Sequence, residues 1–263
     1  MSPKLAHVAA ALVLLFAAAG ATAADYAPLP GGTFTSVLPA DGKAADAKVD
    51  PFRLRVTPVT NGEFLAFVES HPEWRRDEVP RIFAEPRYLE SWAAADAPGS
   101  TARPDLPVTN VSWFAAEAFC ESEGARLPTW YEWEIAAAAD ATRADARNDP
   151  AWRERILGWY ARPSNAPLAA VGGEANVYGV RDLHGLVWEW VDDFNALLVS
   201  ADNREQGDPD LLRFCGAGAI TLQQRENYAV LMRIAMLSSL KAADTTANLG
   251  FRCAKPATPE NVR

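Results

Sequence analysis

The chain has 263 residues, of which 49% are hydrophobic and 22% are charged, so it can bury a sizeable core and is neither disordered nor collagen-like. Its formal net charge is −9, and it lacks the basic stripe that a nucleic-acid-binding protein normally carries. Three cysteines are too few for a small disulfide scaffold, or for a Cys₄ zinc or iron–sulfur site within one chain.

The N-terminus has the features of a secretory signal peptide. Lys4 supplies a positive start, Val8–Ala19 an apolar stretch, and Ala21-Thr22-Ala23 a small-residue cleavage site. The apolar stretch is too short and too rich in alanine to favour the alternative, an uncleaved membrane anchor. We therefore expect a signal peptide at residues 1–24 and a single mature domain at residues 25–263. We also expect no stable membrane span after cleavage, and a periplasmic or secreted location where disulfides persist.

Three segments begin with a side chain that can cap a helix N-terminus and continue with apolar residues at helical spacing. They are Asn61–Glu69 after Thr60, Trp113–Glu123 after Ser112, and Trp130–Ala139 after Thr129. In the third, Glu132 completes a capping box with Thr129. Short strands are expected between turns rich in proline and glycine, and Gly250–Cys253 is the strongest candidate for the last strand. This pattern predicts an irregular α+β domain.

Motifs along the whole mature chain resemble the sulfatase-modifying factor family, whose founding activity is formylglycine generation. They are Leu29–Phe34, Val56–Phe64, Pro107–Trp113, Gly124–Glu134, and Asn176–Trp190 taken together with Asn248–Cys253. The resemblance implies a C-type-lectin-like fold with few helices, short strands and many loops. Three glutamates lie within these motifs, and we expect them to cap helices or to pair with Arg126 or Arg252. They are Glu132, Glu134 and Glu189.

The family's founding chemistry oxidises a substrate cysteine and uses two enzyme cysteines that bind copper, since soft thiolates suit Cu(I). Counted back from the closing motif Gly250–Cys253, the corresponding positions fall near Gln224 and Ala229, and neither is a cysteine. The resemblance also implies a disulfide between Cys120 and Cys253, which leaves Cys215 alone. One cysteine cannot form the copper pair, so sulfatase activation is disfavoured.

Other metal chemistry of the family is also limited by composition. A related branch, the ergothioneine-type sulfoxide synthases, holds non-haem iron with a histidine-rich triad, but the mature chain has only His71 and His184. We expect His71 at the surface and His184 to hold its turn by a hydrogen bond. Calcium is a further family feature, although Leu186 replaces the usual asparagine ligand. The remaining oxygen ligands for calcium are Asn165, Asn176, Asp182 and Glu189.

Residues 214–233 occupy the place of the family's active-site segment. This version resembles the branch that contains nitrite-reductase-linked accessory proteins and the periplasmic oxidase that matures the pyoverdine chromophore. The candidate catalytic residues are Glu226 as general base, Tyr228 as proton donor or radical-stabilising phenol, and Arg233 as anion anchor. Cys215 is either a buried small hydrophobe or a reactive or metal-binding thiol. The structural alternative is that Gly216–Ala219 forms a tight strand and that Glu226 is a solvated carboxylate.

Three functions follow from the resemblance. The first is an exported maturation oxidase that acts on a small molecule or a peptide-linked group. The second is a non-catalytic accessory protein that binds an exported redox enzyme such as a copper nitrite reductase. The third, formylglycine generation on sulfatases, is disfavoured by the missing cysteine pair.

Overall fold

A computed structural model of the chain describes residues 24–35, 46–164, 166–195 and 228–257. Within these ranges short strands and helices follow one another irregularly, as expected for an α+β fold. In chain order they are β1 (Tyr26–Leu29), β2 (Gly32–Thr35), β3 (Asp46–Val49), β4 (Phe52–Arg55), α1 (Asn61–Ser70), α2 (Trp113–Ser122), α3 (Trp130–Ala137), α4 (Pro150–Tyr160), β5 (Trp188–Glu189), α5 (Tyr228–Ser238), β6 (Leu249–Gly250) and β7 (Ala254–Pro256).

The strands form small separate sheets. An antiparallel sheet has the order β1-β4-β7, while β2 pairs with β3 antiparallel and β5 pairs with β6 parallel. The predicted last strand, Gly250–Cys253, is wrong in its extent, because only Gly250 lies in a strand. The carbonyl groups of Phe251 and Cys253 accept from the N–H groups of Val59 and Arg55, at 2.9 Å each. Arg55 is the last residue of β4 and Val59 lies outside any strand, so no continuous ladder spans the segment.

The three predicted helices are confirmed: α1 ends one residue later than predicted, whereas α2 and α3 end one and two residues earlier. Both α1 and α3 begin with a complete capping box, formed by Thr60 with Glu63 and by Thr129 with Glu132. At the start of α2, Ser112 accepts a hydrogen bond from the third backbone N–H of the helix. Because these caps satisfy N–H groups that have no partner inside the helix, the starting residue is well specified by sequence.

The core is built largely from aromatic side chains, and it lies between α1, α2 and the segment that precedes β7. Phe64 contacts Phe119 and Phe251 at ring-centre distances of 5.8 and 6.1 Å. Next to them Cys120 on α2 forms the expected disulfide with Cys253, with their Cα atoms 5.4 Å apart. The disulfide therefore ties α2 to the C-terminal end of the fold.

Across the described ranges, no helix combines the length and the apolar character that a membrane crossing requires.

Candidate functional site

The helix α5 places Arg233 in the interior of the protein. Its guanidinium carbon lies 3.4 Å from the centre of the Trp133 ring, and one of its terminal nitrogens donates to the carbonyl oxygen of Glu189 at 3.0 Å. The Nε atom of Arg233 lies 3.5 Å from Oε1 of Glu134, which makes an ion pair without hydrogen-bond geometry. The side chain is buried. The cation is thus held by a ring face, a carbonyl group and a carboxylate.

A second buried ion pair lies beside the first and supports the expected structural role of Glu189. The Glu189 carboxylate accepts from Trp133 Nε1 at 2.7 Å and from Arg252 at 2.7 and 2.8 Å. Arg252 also donates to the main-chain carbonyl of Arg55, so it ties β5 and the first sheet together. Because every oxygen of this carboxylate is already engaged, the pair specifies packing and offers no free base.

The other two glutamates of these motifs divide between structure and the interior site. Glu132 closes its capping box and pairs with Arg126, as expected. Glu134 instead faces Arg233, a partner that the sequence did not indicate. Burial raises the pKa of Glu134 to about 7, against the attraction of the Arg233 charge.

Four buried polar atoms near this pair have no hydrogen-bond partner among the described residues. They are Glu134 Oε1, Arg233 Nε, Tyr160 Oη and His184 Nδ1. Burial raises the pKa of Tyr160 above its usual range, and burial with the nearby Arg233 charge lowers the pKa of His184 to about 3. Uncommitted polar atoms and displaced pKa values in one place are typical of functional sites, although structural ion pairs also produce them.

His184 lies inside an aromatic cage formed by Trp133, Trp152, Trp159 and Tyr160, at ring-centre distances of 5.4, 5.6, 6.4 and 6.4 Å. Its Nε2 atom is 3.1 Å from the carbonyl oxygen of Ala137. A carbonyl oxygen only accepts, so Nε2 carries the proton and Nδ1 the lone pair. The predicted turn-holding hydrogen bond of His184 is present. The cage also keeps the imidazole neutral.

Three members of the cage come from α4, a helix that the sequence analysis did not predict. Asp149 caps it, Pro150 occupies its first position, and Trp152, Ile156 and Trp159 repeat at helical spacing. An N-cap followed by proline and by this spacing is a recognisable helix start. These signals identify α4 in retrospect, although its aromatic residues could also have been read as loop anchors.

A surface cleft of about 390 Å³ opens beside the cage. Its described lining includes Trp152, Trp159 and His184 together with residues 173–176. A smaller pocket of about 100 Å³ shares Trp159 with the cleft and adds Tyr160 and Trp188. The rings of Trp159 and Tyr160 lie 5.4 and 4.9 Å from that of Trp188. The aromatic cage therefore separates the polar interior from two adjoining surface depressions.

The predicted catalytic residues fall only partly within the described structure. Cys215 and Glu226 lie outside the described residues, as do the positions 224 and 214 near them. Tyr228 is the first residue of α5, and its side chain is likewise outside the description. Arg233 is the one candidate whose contacts are visible, and its anionic neighbour is Glu134. Its role as an anchor for a substrate anion stays a prediction.

Three of the oxygen ligands suggested for calcium lie among the described residues, and each is already engaged in hydrogen bonds. Asn176 holds a turn through Ala136 and the N–H groups of residues 178 and 180. Asp182 accepts from the N–H groups of residues 172 and 173, and Glu189 is consumed by its ion pair. Asn165 lies outside the described residues. Within the described ranges, no three His, Cys, Asp or Glu side chains are grouped to hold a metal ion. Calcium binding stays a prediction.

Comparisons with known proteins agree with the motifs. The sulfatase-modifying factor enzyme 1-like domain matches residues 14–257. The inactive C-alpha-formylglycine-generating enzyme 2 of Mus musculus is 30% identical over 87% of this chain and 85% of its own length. The formylglycine-generating enzyme of Streptomyces coelicolor is 30% identical over 87% of this chain and 88% of its own. Among solved structures, PvdO from Pseudomonas aeruginosa aligns with a TM-score of 0.46 and 19% identity, over 88% of this chain and 93% of that one.

Proposed function

This chain belongs to the sulfatase-modifying factor family, and from that premise we propose that it is an exported oxidase that matures a small molecule or a peptide-linked group. The proposed location is the periplasm, after removal of residues 1–24. The proposed catalytic segment is residues 215–233, with Glu226 as the base and Tyr228 as a proton-donating phenol. Gln224 and Ala229 stand where copper-binding cysteines would be needed, so the proposed reaction is not formylglycine generation.

One observation carries the proposal. The helix that continues the candidate segment, α5, seats Arg233 against Glu134, next to the unpartnered hydroxyl of Tyr160. Glu134 has a pKa raised to about 7, which is near the pH at which an exported enzyme works. The polar residues that the sequence places at 223–228 therefore lead directly into an interior of perturbed titratable groups.

The proposed reaction removes two electrons and two protons from the substrate and delivers them to molecular oxygen. Glu226 accepts one proton as the substrate bond breaks, and it returns that proton to the reduced oxygen. The second proton reaches oxygen through Tyr228, which regains a proton from the substrate. The products are the oxidised substrate and hydrogen peroxide, so atoms and electrons balance.

The test uses a small-molecule extract from a strain of the source organism that lacks this gene. Purified full-length mature protein is added to the extract in air, and hydrogen peroxide and mass spectra are recorded. We expect one compound to be replaced by a product that is two hydrogen atoms lighter. Glu226→Gln should lower the rate by at least about a hundredfold. The matched control is Glu69→Gln, which removes an exposed carboxylate at the end of α1 and should leave the rate unchanged.

The accessory role is the second candidate, and two observations favour it. The positions of the copper-binding cysteines hold other residues in this chain. A relative that is 30% identical over most of both chains is named as inactive. In that case the extract yields no peroxide and no lighter product. Cross-linking in the periplasm should then recover an exported redox enzyme, such as a copper nitrite reductase. Peroxide formation that depends on Glu226 would reject the accessory role.

A further inference from the structure

The face that α4 turns toward the cleft combines aromatic and basic side chains. Arg155 and Ile156 each lie three or four residues from both Trp152 and Trp159, which places all four on one face of the helix. Arg162 continues this face just past the end of the helix. Trp152 and Ile156 are buried, Trp159 is half-buried, and the two arginines are exposed. The helix thus presents one ring surface flanked by two guanidinium groups.

The two arginines are uncommitted, whereas most acids that line the cleft are not. Neither Arg155 nor Arg162 has an ion-pair partner among the described residues. Asp140 pairs with Arg143, which lies outside the cleft lining, and Asp182 accepts two backbone N–H groups. Two cationic side chains without an ion-pair partner among the described residues are unusual in one cleft of a protein whose net charge is −9. The exposed Glu174 is the lining carboxylate for which the described residues show no partner.

We propose that this cleft binds a small planar ring that carries one acid group. Its volume of about 390 Å³ falls in the range of small-molecule sites, which are mostly apolar with a few placed polar groups. The ring would lie on the half-buried face of Trp159, and the acid group would be bound by Arg155 or Arg162, since guanidinium groups match carboxylate and phosphate oxygens in shape and charge. The exposed carboxylate of Glu174, which belongs to the same lining, would repel a second acid group.

This inference goes beyond the proposed function and does not depend on turnover. A binding measurement on the full mature protein tests it, whether or not the protein oxidises anything. If the protein binds the ring compound but forms no peroxide, the proposed oxidase activity is rejected and the proposed binding site is retained. If the protein forms peroxide but does not bind the ring compound, the binding site is rejected and the oxidase activity is retained.

The probes are matched naphthalene derivatives, titrated calorimetrically at low ionic strength. We expect 2-naphthoate or 2-naphthyl phosphate to bind at least about tenfold more tightly than the uncharged 2-naphthamide. The tighter of the two anions identifies the acid as carboxylate or phosphate. Naphthalene-2,6-dicarboxylate should bind more weakly than 2-naphthoate, because the lining carboxylate of Glu174 would repel its second acid group.

Variants locate the site. Arg155→Gln, Arg162→Gln and Trp159→Leu are compared with Arg81→Gln, which removes an exposed arginine outside the cleft. We expect Trp159→Leu and at least one of the two cleft-arginine variants to weaken 2-naphthoate binding about tenfold, with Arg81→Gln unchanged and all four melting temperatures near that of the wild type. Equal affinity for 2-naphthamide and 2-naphthoate would overturn the proposal. So would an equal loss in Arg81→Gln, or no binding at about 5 mM probe.

Discussion

Replacing Glu134 by glutamine should flatten the dependence of folding stability on pH between about 4.5 and 7. In the folded protein the carboxyl group is buried, its Oε1 atom lacks a hydrogen bond, and its Arg233 neighbour is 3.5 Å away. Burial raises its pKa from 4.5 to about 7. Glutamine has nearly the same shape as the protonated carboxyl group but cannot ionise, so the substitution isolates the cost of the charge.

The sign follows from proton binding. The folded protein holds this proton more tightly than the unfolded chain, so the stabilisation is complete below the unfolded pKa. It is lost as the pH rises through the folded pKa of about 7. A pKa difference from 4.5 to about 7 corresponds to a loss on the order of 3 kcal/mol across this range. We expect Glu134→Gln to lie within about 1 kcal/mol of wild type at pH 5 and to gain relative to it toward pH 8.

The assay is urea unfolding at four pH values from 5 to 8, with fluorescence as the probe, and the free energy of unfolding is compared with that of wild type. The matched control is Glu69→Gln, whose exposed carboxylate lies at the end of α1. The free energy of unfolding of this control should change with pH in the same way as that of wild type. If Glu134→Gln also runs parallel to wild type across the whole pH range, the burial argument for the Glu134–Arg233 pair is refuted.

Three further outcomes are expected. Replacing both Cys120 and Cys253 by alanine should lower the free energy of unfolding by on the order of 4 kcal/mol, since the disulfide closes a separation of 133 residues, and equal urea midpoints with and without the disulfide would contradict this. The imidazole NMR signals of His184 should not shift between pH 5 and 8, because its pKa is lowered to about 3, and a midpoint within that range would show that the cage is open to water. Gly250→Ala should destabilise the protein by about 2 kcal/mol or more in thermal unfolding, because a Cβ atom at this position would meet a main-chain carbonyl oxygen at 2.6 Å. The control is Gly158→Ala, which adds a Cβ atom on open helix surface and should be neutral or stabilising.

Much of the architecture was predictable because its causes are local. The helix starts at Thr60 and Thr129 are determined by side chains that satisfy N–H groups within three residues. The family motifs also identified the disulfide pairing and the structural roles of Glu132 and Glu189. The partner of Glu132 lies within its own motif, whereas the partner of Glu189 lies in the closing segment 248–253. The order of motifs thus carried long-range information that periodicity does not contain.

The partner of Glu134 and the cage around His184 were decided only by tertiary structure. Glu134 meets Arg233 across 99 positions of chain, and neither residue type nor spacing distinguishes that partner from Arg126 or Arg252. The effect on pKa depends on how completely water is excluded, which is a property of the packed rings and of no single residue.

The counts of three cysteines and three histidines in the sequence removed the copper pair and the iron triad from consideration, because metal chemistry requires particular ligand atoms in sufficient number. Tertiary structure decided what the remaining residues do. It committed Cys120 and Cys253 to a disulfide and enclosed His184 as a neutral imidazole among aromatic rings. Composition limits which reactions a chain can support, but only packing determines which side chains remain free, because burial and contact depend on residues far apart in sequence.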